Sequence, residues 1–281
     1  LLRQLYTATN RVLRLGLDVP VDHRALIEQS QTDARKLLQE QRFNPASVMR
    51  LWKNLGDDYF IRENAKTIAW HTRTILNHQV DGPLVAISET SFSAFEGGTQ
   101  VFVYTQDKAN LFAALCAILG QLHLDIQDAR IITTEDGYSM DTFVVLDNSG
   151  NTINQTPALL EQLKQRLTQA LQYPDQFAYI VQQRQPRIHK LFNQSASVSL
   201  SNPKGRSWTR LELSSADRPG LLAQVGLVFM RLGISIQKAK IQSIGGQVED
   251  VFFITLANGE RIVDEQLLKT LEHDVCRAMD K

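Results

Sequence analysis

The last two-thirds of the chain repeat one pattern of short alternating runs and apolar stripes, and this duplication limits the possible folds more than any other feature. Val101-Phe102-Val103-Tyr104-Thr105 answers to Leu211-Glu212-Leu213-Ser214-Ser215. Asp107 answers to Asp217, Asn110 to Gly220, Leu111 to Leu221, Leu122 to Leu232, Ile126 to Ile236 and Ile131 to Ile241. After a one-residue gap, Asp141 answers to Asp250 and Phe143 to Phe252. Leu159, Leu163, Leu167 and Leu171 then match Leu267, Leu271, Val275 and Met279, both spaced by fours as a buried helical stripe requires.

Each copy reads strand (99–105; 208–214), helix (109–121; 219–232), strand (124–133; 234–243), strand (138–147; 248–257), helix (156–172; 262–279). This is a ferredoxin-like βαββα order, with helices on one face of an antiparallel sheet. The usual fourth strand is missing, and the runs 84–87 and 196–200 stand where a preceding strand would hairpin onto the first and close that edge. The fold class is therefore α+β: a helical segment followed by two βαββα(β) units.

Upstream, Leu2, Leu5, Tyr6, Thr9, Val12 and Leu13 predict a helix over 1–15, and Leu26 to Leu38 a second. Asn44-Pro45 starts a third, which Gly56 ends, leaving Asp57-Asp58 to solvate a loop; Asn64 caps a fourth with Ile68, Thr72, Ile75 and Leu76 inward. Asp81-Gly82-Pro83 breaks the pattern. The expected domains are 1–82, 83–194 and 195–281.

Thirty basic residues balance thirty acidic ones, which argues against a general nucleic-acid or anionic-membrane binder. No apolar run is long enough to span a membrane. Cys116 and Cys276 lack metal-type spacing, so a reduced, cytoplasmic protein is expected. His71 and His78, seven apart, are too distant to chelate one metal without partners, and no metal site is expected here. The start at Leu1-Leu2-Arg3 suggests a piece of a longer protein.

The phrase SADRPGLLAQVG (215–226) and its echo TQDKANLFAALCA (105–117) place Asp ahead of a helix start. Pro219 suits the first helical turn, Asp217 the positive end of the helix dipole, and Gly220 a close approach of a ligand or a backbone. Free amides there suit a carboxylate or phosphate. There is no GxGxxG after a parallel strand and no GxxxxGK[ST], and Asp217 would repel a polyphosphate. A zwitterionic amino acid fits better. A plain helix start without ligand is the competing reading, and Glu249-Asp250, on opposite faces of a strand, makes a poor catalytic pair.

Asp217-Arg218-Pro219-Gly220-Leu221-Leu222 leading to Leu232-Gly233-Ile234-Ser235-Ile236 resembles the signature of the ACT domain, a small amino-acid-binding module. Asp107-Lys108-Ala109-Asn110-Leu111-Phe112 resembles it more loosely, with Asn110 for Gly and Ala109 for Pro. Leu51-Trp52-Lys53-Asn54-Leu55-Gly56-Asp57-Asp58-Tyr59-Phe60 and Ile68-Ala69-Trp70-His71-Thr72 resemble the helical region before the paired ACT domains of bifunctional uridylyltransferase/uridylyl-removing enzymes acting on the PII signalling protein. The resemblance implies a glutamine sensor belonging to a Mg2+-dependent nucleotidyltransferase and hydrolase, whose catalytic motifs are not found in this chain. It implies a ligand site at Asp217, Arg218, Gly220, Leu221 and Leu222, with Ser235 and Gln237 reading the side-chain amide. An equivalent site would use Asp107, Asn110, Leu111 and Asp125. The alternative is an ACT-type dimerisation or PII-docking module without its own ligand.

Overall fold

A computed structural model describes residues 23–89, 98–178, 196–216, 220–244 and 247–279. The helix expected over 1–15 lies outside them, as do Asp217 and Arg218. The described residues fall into two compact units, 23–79 and Val80 onward.

The first unit is helical: α1 (His23–Glu40), α2 (Pro45–Trp52), α3 (Asp57–Arg62) and α4 (Ala65–Leu76). Asn44 and Asn64 cap α2 and α4 as expected. The Asn44 side chain accepts from the Ala46 amide, and that of Asn64 from Lys66 and Thr67 at 3.0 Å. Asp57-Asp58 is not a loop. Gly56 serves as the N-cap of α3, and both aspartates occupy its first turn, where the helix dipole favours negative charge. Short α3 turns Tyr59 and Phe60 inward against Trp52, with ring centroids 5.1 Å (Tyr59–Phe60) and 5.4 Å (Trp52–Phe60) apart. The aromatic polar ends are satisfied inside: the Trp52 indole N–H donates to Thr72 Oγ1, and Tyr59 OH lies 3.0 Å from His71 Nδ1. His71 is thus a core histidine.

The second unit contains β1 (Leu84–Glu89), β2 (Thr99–Gln106), α5 (Leu111–Gln121), β3 (Leu124–Ile132), β4 (Tyr138–Asp147), α6 (Pro157–Gln172) and α7 (Pro174–Ala178). The second copy adds β5 (Ser197–Ser201), β6 (Thr209–Ala216), α8 (Leu221–Arg231), β7 (Ile234–Ile244), β8 (Gln247–Leu256) and α9 (Glu265–Met279). The strands form one eight-stranded sheet ordered β1-β2-β4-β3-β7-β8-β6-β5. As the repeat predicts, β1 and β5 pair antiparallel with β2 and β6, Leu84 opposite Tyr104 and Ser197 opposite Ser214. The repeats join edge to edge through antiparallel β3 and β7, with Arg130 opposite Lys240. Each junction strand carries a bulge, between Ile126 and Asp128 and between Ile236 and Lys238.

Period-two alternation sends Val101, Val103, Phe143 and Val145, and likewise Leu211, Leu213, Phe252 and Ile254, into one continuous core beneath the helices. Across the junction α5 crosses α8 at minimal separation. A Cβ built on Gly226 would lie 2.9 Å from both Cα and Cβ of Ala113. Phe112 of the first copy meets Phe252 of the second edge-on at 6.0 Å. No helix among the described residues is long and apolar enough to cross a membrane.

Candidate functional site

Strand β6 ends at Ala216, and α8 begins at Leu221 after Gly220, whose φ of +82° is a left-handed conformation open to glycine at little cost. Among the described residues no side chain caps this helix, and helix geometry leaves its first amides without an intrahelical acceptor. The equivalent Asn110 adopts φ +69°, also without a side-chain cap. Asn is among the few other residues that tolerate this region. At this position the loosened first motif therefore keeps the left-handed backbone of Gly220.

The two helix starts differ in their surroundings. At the first, Asn110 Nδ2 donates to Asp175 Oδ1 of α7 at 2.6 Å, and Lys108 Nζ to the Gln172 carbonyl. Asp107, at the surface, is nonetheless desolvated by its loop enough to raise its carboxyl above the usual aspartate range, although the Lys108 amide opposes this. At the second, the start of α8 opens into a shallow cleft with about 40 Å³ of internal space. Gly220, Leu221, Leu222 and Ala223 form one wall, and Asp125 with Leu124, Ile126 and Cys116 of the first copy the other. Ile241 and Val248 floor it.

This wall assignment crosses the repeats. Asp125, expected with Asp107 and Asn110, instead faces the second helix start. Ser235 and Gln237, expected beside Gly220, lie toward the first copy's hairpin. The Gln237 carbonyl accepts from the Thr133 amide, and its side-chain Nε2 donates to Thr255 Oγ1 at 3.1 Å. The cause is the antiparallel β3–β7 junction, which sets the start of each strand beside the far end of the other. Leu111 begins α5 and Leu221 and Leu222 begin α8, as expected from the phrase. Cys116, Ile241 and Val248 carried no signal, because nothing in a duplicated sequence says which sheet edges join.

Chemically the cleft offers main-chain N–H groups at a positive helix end, a half-buried carboxylate across from them, and apolar walls. Such a site suits a small zwitterion better than a polyphosphate. Among the described residues there is no group of three or more His, Cys, Asp or Glu side chains placed to hold a metal ion.

Two family models match the chain: "Uridylyltransferase GlnD fifth domain" over residues 22–74 and "ACT domain" over 209–272. A bifunctional uridylyltransferase/uridylyl-removing enzyme of Ectopseudomonas mendocina is 45% identical across the whole chain, which covers 31% of that protein. The enzymes so named in Pseudomonas putida and Pseudomonas fluorescens are 44% and 46% identical over 99% and 97% of the chain, covering 31% and 30% of their lengths. The chain spans about a third of the length of these relatives. Identity sustained through the helical unit and both repeats makes the chain similar to the C-terminal region of bifunctional uridylyltransferase/uridylyl-removing enzymes, with their fifth domain and an ACT domain.

Proposed function

We propose that this chain is the glutamine-sensing regulatory region of its parent enzyme, controlling UMP attachment to and removal from PII. The observation that supports it most is the start of α8 opening into a cleft whose far wall carries Asp125. The glutamine carboxylate sits on the amides of Leu221 to Ala223, and its side-chain amide reaches the polar groups across the cleft. Because the two walls belong to different repeats, ligand binding bridges them. That gives binding a means of favouring one arrangement of the pair, as allosteric coupling requires. Catalysis by the parent, with its Mg2+, is assigned to parts of the protein other than these units.

The test is thermal unfolding of the 281-residue chain against a panel of amino acids. Glutamine at about a hundred times its dissociation constant adds about 2.7 kcal/mol. For a unit of this size that raises Tm by roughly 5–10 °C. A shift with a different amino acid and none with glutamine reassigns the ligand. No shift with any of them sinks the sensor and leaves a docking module.

A further inference from the structure

Beneath the first turn of α5 lies a buried polar patch that the cleft does not use. Thr105, Ser139 and Asp141 share the helix-facing side of β2 and β4 with Val103 and Phe143, because odd positions of these paired strands point the same way. All three are buried, Asp141 completely. Ser139 Oγ donates to Asp141 Oδ1 at 2.8 Å, while Asp141 Oδ2 is enclosed without a hydrogen-bond partner. Burial pushes this carboxyl up to about 7, against the Ser139 hydrogen bond; the Asp107 charge adds to the rise and the Ile132 amide opposes it.

A core gains nothing from an orphaned carboxylate oxygen that an aliphatic side chain would not supply better. The duplication keeps a buried carboxyl at this position. Asp250 is buried opposite Leu213 as Asp141 is opposite Val103. Both carboxylates also raise the Cys116 thiol, after its burial, and Cys116 lines the cleft. Val248, two residues before Asp250 on the same strand face, floors that cleft.

The position relative to the helix start is what a ligand would need. Gln106 pairs with Tyr138 at the end of β2, and the chain turns back within residues 107–110 to begin α5 over this end of the sheet. Partial positive charge on the first-turn amides therefore stands above a negative group in the sheet. An α-amino acid carries the complementary pair on one carbon.

Resting on the amino-acid-sensor reading, we propose that Asp141 and Asp250 are the ammonium-binding groups of the two ACT units, each working beneath the helix amides that take the ligand carboxylate. Asp107 then shapes the entrance of the first site and does not anchor the ligand.

Titration calorimetry of the whole chain with glutamine and with its des-amino analogue, 4-carbamoylbutanoate, tests this. Wild type binds glutamine at least about tenfold more tightly than the analogue, the step expected for a charge-assisted hydrogen bond. The Asp141→Asn/Asp250→Asn double variant binds the two alike, and the single variants show which unit is filled. A measurement without substitution accompanies it: at pH 6.5, in two buffers of different ionisation enthalpy, glutamine binding releases protons and analogue binding does not. A double variant that keeps wild-type glutamine affinity overturns the proposal and leaves the sensor standing. So does a wild type that binds both compounds equally, or one that binds glutamine without releasing protons. If no amino acid binds the wild type, both fall.

Discussion

Replacing Gly226 with Ala probes the junction on which the paired units depend. The new methyl would lie 2.9 Å from Cα and Cβ of Ala113 and 3.3 Å from its nitrogen. Ordinary van der Waals contact begins near 3.4 Å, so α5 and α8 must part by about half an ångström or more. Two of the atoms met are backbone, so no rotamer change relieves the clash. Overpacking of this kind costs about 1–3 kcal/mol, while a mid-helix Gly→Ala change returns up to about 1. A net loss of about 1–2 kcal/mol follows, lowering Tm by roughly 2–8 °C for a unit of this size. Gly120 in α5 is the control, because a Cβ there meets nothing within 4 Å, and Gly120→Ala is expected to gain about 0.5–1 kcal/mol. Adding Ala113→Gly to Gly226→Ala restores part of the loss, since it removes the Cβ contact and leaves the Cα one. Urea unfolding followed by circular dichroism reads all four proteins. A Gly226→Ala protein as stable as wild type, with the Gly120 control behaving as stated, would refute the close crossing.

Asp141, raised to about 7 in the folded chain from an ordinary carboxyl value near 3.8, holds its proton more tightly folded than unfolded. Its contribution is therefore least unfavourable below pH 4, and stability falls as pH rises from 4 to 7, by at most about 4 kcal/mol. Asp141→Asn accordingly stabilises the protein at pH 8 and makes little difference at pH 4 in denaturant titrations; a variant less stable than wild type at pH 8 contradicts this. His123 holds φ +56° at the position where the second copy has Gly233 at +65°. His123→Gly relieves left-handed strain and gains up to about 1 kcal/mol, read as a higher urea midpoint, and an unchanged or lower midpoint speaks against it. Asn64→Ala leaves the Lys66 and Thr67 amides uncapped and costs the helical unit about 1 kcal/mol, read by hydrogen exchange in α4. Exchange there at the wild-type rate would discount the cap.

The duplication, the strand and helix order within each copy, the borrowed strands β1 and β5, and the caps at Asn44 and Asn64 were legible in sequence. Each follows from local alternation, helical spacing or a cap residue's own chemistry. Even the degraded first motif kept a residue able to take Gly220's conformation, and Asn110 does so. Asp57-Asp58 reads as a loop in sequence because Gly56 ends one pattern and caps the next, and a six-residue helix is too short to show a period. What the sequence by itself determined is therefore everything that neighbours along the chain impose on one another. Only the tertiary structure decided that β3 pairs with β7, which brings Asp125 to the far repeat's helix start, takes Ser235 and Gln237 away from it, and encloses Asp141 beneath a helix end. Edge pairing joins backbone groups that every strand possesses, so the choice between edges rests on the fit of whole surfaces, such as Gly226 against Ala113, that no short stretch of sequence contains.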